Sequence, residues 1–292
     1  MEHLAISRYP AGRCLAIVVA VLLPLVGCRS AEPVPSPRPA RPVATLFPTN
    51  PSAASTPVAT PSPDSGWLAG SAGVAVRRLH VSGAPDQPPF LVIVVRLDPA
   101  RVRLRVAYDP ERPLPIRDWF AEAQPLLAIN GGFFTEEYRS TALVISDGVA
   151  SGTSYQGFGG MLAVAPDGQI SIRALRDQPY DPRESVDQAL QSFPMLIFPG
   201  GILAAIKEDG LRARRTAVAM DRAGRLLFVV SPTSGFTLRG FAEWLHQSDL
   251  EIDRALNLDG GASTGLYLKA GDLDEQIDSL ERLPLVILVE PK

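Results

Sequence analysis

Cysteine is the first thing this chain is short of. It occurs only at positions 14 and 28, so residues 67–292 contain none. That stretch can form neither a disulfide nor a thiolate metal site. Histidine is nearly as scarce, and past the first few residues only His80 and His246 occur. Neither stands near a nucleophile motif, which argues against a Ser-His-Asp arrangement. His80 falls in a strand-like run and His246 in an amphipathic helix, where both read as surface or packing residues. An excess of positive charge is missing as well: a formal net charge of −3 argues against a nucleic-acid partner. Asparagine occurs only at positions 50, 130 and 257. Asn50 lies in a low-complexity stretch. The other two each sit beside a Gly-Gly pair, in Asn130-Gly131-Gly132 and in Asn257-Leu258-Asp259-Gly260-Gly261. A chain that otherwise avoids this residue uses it twice in matching settings, which suggests a specific amide role.

Residues 1–27 read as an export leader. Arg8 and Arg13 are followed by an apolar run over residues 14–26. Such a run is too short to span a bilayer well and has the length of a signal-peptide core. It ends Leu25-Val26-Gly27-Cys28, which resembles the lipobox of bacterial lipoproteins. The resemblance implies cleavage before Cys28, diacylation of its thiol, and a protein anchored in a bacterial cell envelope on the extracytoplasmic side. Residues 28–66 begin with the lipidated Cys and are rich in Pro, Ala, Ser and Thr. They carry too little apolar surface to fold and read as a tether.

Residues 67–292 fit one domain. A composition of 46% hydrophobic and 20% charged residues suits a well-cored globule. In residues 101–108, Val102, Leu104 and Val106 alternate with Arg101, Arg103 and Arg105, the pattern of a half-buried strand with a solvated basic face. Residues 116–123 read as a short helix and 126–129 as a buried strand. Pro166-Asp167-Gly168 and the turn Asp221-Arg222-Ala223-Gly224 mark two hairpins. Residues 184–191 read as a helix. In residues 237–247, Leu238, Phe241, Ala242 and Leu245 recur at helical spacing. Residues 285–289 form a last buried strand. The sum is an α+β fold of mixed, largely antiparallel sheets with a few flanking helices, in a single domain.

Three stretches carry chemistry, each at a strand end. The first is Asn130-Gly131-Gly132-Phe133-Phe134. The second is Arg212-Ala213-Arg214-Arg215-Thr216, of which Arg215 adjoins the strand most closely. The third is Asn257-Leu258-Asp259-Gly260-Gly261-Ala262-Ser263-Thr264, between two apolar runs. The ordinary alternative for the third is a hairpin turn whose Asp caps its own backbone. Together the three offer amides, a guanidinium and a carboxylate. Asn binds sugar hydroxyls, Arg matches phosphate, and a carboxylate can stabilise or attack an oxocarbenium-like centre. Consecutive glycine amides with Ser263 and Thr264 add a donor surface for an anion. Glu136 and Glu137 come just after the first motif and are candidate acid partners, or loop surface.

These three motifs, in this order and with the strand-turn Leu143-Val144-Ile145-Ser146-Asp147-Gly148 after the first, resemble the landmarks of the phosphodiester glycosidase domain family. The resemblance spans residues 74–289. It implies hydrolysis of a sugar-1-phosphodiester by cleavage of the C1–O bond. Asp259 would act at the anomeric carbon, and Arg215 would stabilise the departing phosphate. Asn130, Gly131, Gly132, Thr216, Asn257, Gly260, Gly261, Ser263 and Thr264 would bind the substrate. No cofactor is required by this chemistry; calcium beside Asp259 stays open, with no set of ligands in the sequence to support it. The partners expected are a glycan or sugar-phosphate substrate and, through the lipid, the membrane. Two other classes use the same residues: a non-catalytic surface lipoprotein that binds phosphosugar or glycan, and an interaction protein whose Gly-Gly turns are only fold features. A metal-dependent phosphodiesterase is weaker, because acidic residues do not cluster at ligand spacing.

Overall fold

The computed structural model describes residues 63–82 and 88–292. The leader, Cys28 and residues 29–62 of the expected tether lie outside the described residues. Val58–Lys292 form one unit. Strands, numbered in chain order, assemble into three sheets. The first has eight strands, in the order β1 (Leu68–Ala69), β2 (Val74–Val81), β3 (Phe90–Leu97), β14 (Leu226–Phe236), β13 (Ala213–Asp221), β15 (Ile252–Asn257), β11 (Met195–Phe198) and β12 (Ile202–Leu203). The second has five: β7 (Val149–Ser151), β6 (Val144–Ser146), β10 (Gln188–Ser192), β8 (Gly160–Val164) and β9 (Ile170–Ala174). The third also has five: β17 (Leu273–Ile277), β16 (Leu266–Ala270), β5 (Leu127–Asn130), β18 (Leu285–Pro291) and β4 (Val102–Tyr108). Two α-helices accompany them, α1 (Ile116–Ala123) and α2 (Leu238–Gln247).

One apolar core lies where the three sheets face each other. Val76, Ile93 and Val95 come from the first sheet, Leu162, Ile172 and Leu190 from the second, and Ile129, Leu268 and Ile287 from the third. Because side chains alternate along a strand, the opposite faces need their own cover. α2 lays Phe241, Ala242 and Leu245 on Val92, Ala217, Ala219 and Val229. α1 lays Ile116 and Trp119 on Ala107, Ala128, Val286 and Leu288. α2 starts where the expected periodicity starts, with Thr237 as its cap: the Gly240 amide donates to Thr237 Oγ1 at 3.0 Å.

The α+β expectation gives way to a mainly β fold with two short helices, and every strand pairing described is antiparallel rather than mixed. No helix forms over residues 184–191: residues 188–191 belong to the strand β10, wholly buried between β6 and β8. Its two glutamines keep their amides paired. Gln188 Oε1 accepts from the Val106 amide at 3.0 Å, and Gln191 Oε1 from the Tyr155 amide at 2.8 Å. Residues just before 67 are paired to β2 as well. Pro63 O accepts from the His80 amide, the Ser65 amide donates to Arg78 O, and Asp64 pairs with Arg77 at 2.7 Å. His80 and His246 are both exposed. Among the described residues no helix is long and apolar enough to cross a membrane.

Candidate functional site

The apolar runs on either side of Asp259 are strands, but not strands of one hairpin. β15 pairs with β13 and β11 in the first sheet, whereas β16 pairs with β17 and β5 in the third. The segment between them, which contains one 3-10 turn over Gly261–Ser263, crosses from one sheet to the other. The Leu258 amide donates to Thr216 O at 2.9 Å and the Asp259 amide to Gly131 O at 3.0 Å. The three motifs thus come together at one junction. The second sheet reaches it as well: the Asn257 amide donates to Pro194 O, and Asn257 Nδ2 donates to Phe193 O at 2.9 Å, next to the end of β10.

Asn130 is the knot of this junction rather than an open ligand group. Its Nδ2 donates to Asp259 O at 2.7 Å and to Gly131 O at 3.4 Å. Its Oδ1 accepts from Thr216 Oγ1 at 2.9 Å and from the Gly265 amide at 3.2 Å. An amide with both donors and both lone pairs engaged, and 1% exposed, has nothing left for a sugar hydroxyl. Thr216 and Thr264, their hydroxyl oxygens 3.3 Å apart, are fully buried in the same network. Asn130, Thr216 and Thr264, expected as substrate contacts, are here engaged with one another and with the backbone of the junction. Gly131 and Gly260 are glycines for space. A side chain at Gly131 would begin 2.6 Å from Leu285 Cγ, and one at Gly260 2.8 Å from Arg214 O. Their amides are engaged too, Gly131 with Leu285 O and Gly260 with Asp259 Oδ1. Of the consecutive glycines Gly260-Gly261 expected to offer a donor surface with Ser263 and Thr264, Gly260 thus turns its amide to Asp259. Gly132 lies against Gln191 O and Ser192, and Gly261, at φ +59°, faces open space.

Asp259 is held by that network through its backbone while its carboxylate stands half-buried at the junction. Its Oδ1 accepts from the Gly260 amide at 2.8 Å, so the capping contact exists although the hairpin does not. Burial pushes its pKa up to about 6, against smaller lowering by bonds from Ser263 and Gly260; the remaining charge acting on it, Glu281, is of the same sign. A carboxylate that gives up its proton only near neutrality, with no cation paired to it, is the usual mark of a group kept for chemistry. Ser263, itself buried, supports it. Glu136 and Glu137 are exposed and stay outside.

The arginines divide differently from the expectation. Arg215 Nε donates to Phe236 O at 3.3 Å and its Nη2 to Leu211 O at 2.8 Å, on the opposite side of β13 from Thr216. Arg214 stands on the Thr216 side, its carbonyl against Gly260. Its Nη2 donates to Asp278 O at 2.8 Å, and its Nε is buried with no partner among the described residues. Burial lowers the pKa of both guanidinium groups from the ordinary value. Ser192 Oγ, also fully buried and unpartnered, lies beside Gly132. Arg214 belongs to the second motif, whereas no motif of the sequence includes Ser192. The pairing of β13 with β14 shifts register between Ala213 and Arg215. Among the described residues no group of three or more His, Cys, Asp or Glu comes together in a way that could hold a metal ion.

Comparison with known proteins bears on the family and the fold. The sequence profile described as phosphodiester glycosidase matches residues 123–289, more than half of the 292 residues. The uncharacterised protein YigE of Escherichia coli K12 is 26% identical over 186 residues, covering 60% of this chain and 68% of that one. Among solved structures, the catalytic domain of zebrafish N-acetylglucosamine-1-phosphodiester alpha-N-acetylglucosaminidase, auto-inhibited by its pro-peptide, superposes with a TM-score of 0.60 at 17% identity. That match covers 77% of this chain and 88% of the zebrafish chain. A hypothetical protein from Synechocystis gives 0.55 at 18% identity, over 75% of this chain and 62% of its own. A putative exported protein from Burkholderia pseudomallei gives 0.52 at 14%, over 72% and 75%. At these identities the structural matches speak for the fold alone.

Proposed function

The chain belongs to the phosphodiester glycosidase family, and from that premise we propose that it hydrolyses a sugar-1-phosphodiester by breaking the C1–O bond. The observation that carries the reading is Asp259: an unpaired, half-buried carboxylate of raised pKa, at the junction where all three family motifs meet. The phosphate monoester leaves with the bonding electron pair, water supplies the new oxygen on C1, and the proton of that water passes to a base or to solvent. Phosphate is already a good leaving group, so a strong general acid is less needed than in ordinary glycoside hydrolysis. Asp259 works as a carboxylate at C1. Arg214, next to Gly260 at the junction, takes the phosphate-stabilising role expected of Arg215. No cofactor enters. N-Acetylglucosamine is the first sugar to try, because the zebrafish relative's name specifies it. The reading places the protein on the extracytoplasmic face of a bacterial envelope, held by a lipid on Cys28, where it acts on envelope or exopolysaccharide glycan.

The test is turnover of N-acetylglucosamine 1-(methyl phosphate) in water enriched in heavy oxygen. Label in the released sugar and none in the phosphate is the expected result. Label in the phosphate would mean P–O cleavage and sink the reading. Asp259→Asn should lose on the order of 10³-fold in rate while its melting curve stays cooperative. A wild type that binds the ester without turning it over would make this a binding protein instead.

A further inference from the structure

Beside the junction, the sequence puts unusual weight on aromatic residues at the surface. Phe193, whose carbonyl holds Asn257, stacks its ring 4.6 Å from Phe133, which directly follows Gly131-Gly132. Tyr155 and Phe158 meet the same ring edge-on at 5.7 and 6.0 Å. Phe193 is 39% exposed and Phe158 50%. Phe158 is carried out by glycines at positive φ on both sides, Gly157 and Gly159. The ledge is not a loose loop: the buried Gln191 accepts from the Tyr155 amide and donates to Ser154 Oγ at 2.9 Å. A groove of about 290 Å³ continues from it, lined by Phe158, Pro194, Phe198, Ala204, Ala205 and Ile206. Past those residues lie Ile202 and Leu203, 61% and 37% exposed. The groove's one charged wall residue, Arg176, has its guanidinium 3.6 Å over the Phe198 ring and an ion pair to Asp177.

We propose that this groove is the aglycone subsite, and that it takes an aliphatic chain esterified to the phosphate. The inference rests on the activity proposed above. A phosphodiester has two ends. The sugar end belongs at Asp259, and the other end leaves past Phe133 and Phe193 on to the ledge. A continuous apolar surface of this kind is costly when left in water and marks a binding site. Its walls decide what it binds. A second sugar ring would need hydrogen-bonding groups around its hydroxyls. Apart from Arg176, whose Nε is paired to Asp177, the side chains that line the groove are aromatic or aliphatic, and the Tyr155 hydroxyl on the ledge is taken by Thr141 at 2.8 Å. An alkyl chain needs no such partners.

The experiment compares three esters of N-acetylglucosamine 1-phosphate, with methyl, octyl or 6-linked glucose as aglycone, on wild type and on Phe158→Leu and Phe158→Ser. Burial of each methylene is worth roughly fourfold. The octyl ester should therefore exceed the methyl ester by about 100-fold in kcat/KM, if only a few methylenes are covered. Phe158→Leu should keep that ratio and Phe158→Ser should cut it at least tenfold, with unchanged melting temperatures. Equal rates on methyl and octyl esters, or preference for the glucose ester, overturn the proposal and leave the activity standing. If no ester is hydrolysed, binding of octyl phosphate by calorimetry decides. Binding weakened in Phe158→Ser keeps the groove and removes the activity; no binding removes the groove.

Discussion

At the scale of single residues, Asp259 sets two demands against each other. Its carboxylate is kept out of water, and the pKa of about 6 lies above the usual 3.8. A proton is therefore held more tightly in the folded chain than in the unfolded one. The stability that goes with it is full below about pH 4 and is lost as pH rises through about 6. At pH 8 the ionised group costs on the order of 3 kcal/mol. Asp259→Asn should melt above wild type at pH 8, and the gap should close by pH 4. Melting curves at the two pH values check this, and a gap that ignores pH would place the carboxylate in water. The arginines give a second contrast. Arg214→Lys keeps a charge but loses the planar fork, and should lower kcat/KM at least tenfold. Arg215→Lys should leave kcat/KM near wild type and cost about 1 kcal/mol, because its guanidinium serves two backbone carbonyls. The opposite ranking in the ester assay would return the phosphate role to Arg215.

At the scale of elements, α2 covers the first sheet with buried Phe241, Ala242 and Leu245, and a capped first turn adds to its stability. Thr237 accepts from the Gly240 amide and donates to Glu208 Oε2 at 2.9 Å. Thr237→Ala should cost about 1 kcal/mol in chemical denaturation and leave turnover unchanged. This helix was legible in the sequence because one face of it buries and the other does not. So was β4, whose Val102, Leu104 and Val106 are all nearly fully buried. The strand ends carrying Asn130 and Asp259 were legible from apolar runs that stop at glycine pairs. β10 was not. A strand buried on both faces shows no alternation, and its Gln, Ala and Leu prefer helix in isolation. Only its neighbours β6 and β8, with side-chain partners for both glutamines, decide it. The Asn130 network was half legible: the scarcity of asparagine marked a specific amide role, but only the fold shows that the amide's partners are protein groups. The way Arg214 and Arg215 point goes with the carbonyls they reach, Asp278 O for one and Phe236 O for the other, both far away in the sequence.

At the scale of the whole molecule, the residues just before 67 count as well. Pro63, Asp64 and Ser65 are already paired to β2. Removing residues 1–62 should leave the melting temperature unchanged. Removing residues 1–66 should lower it by a few degrees, since the backbone bonds to His80 and Arg78 and the Asp64 partner of Arg77 go with them. Equal melting of the two truncated proteins would mean that the pairing contributes nothing.

The crossing of β15 into β16 through the Asp259 segment has one more consequence. Three plates that share a core and are also riveted at one corner slide there only by loading that rivet. Here the rivet is also the place where the reacting atoms must be held. Rigidity of the body and aim of the carboxylate are then one property, and a tenant seated there would tighten both at once.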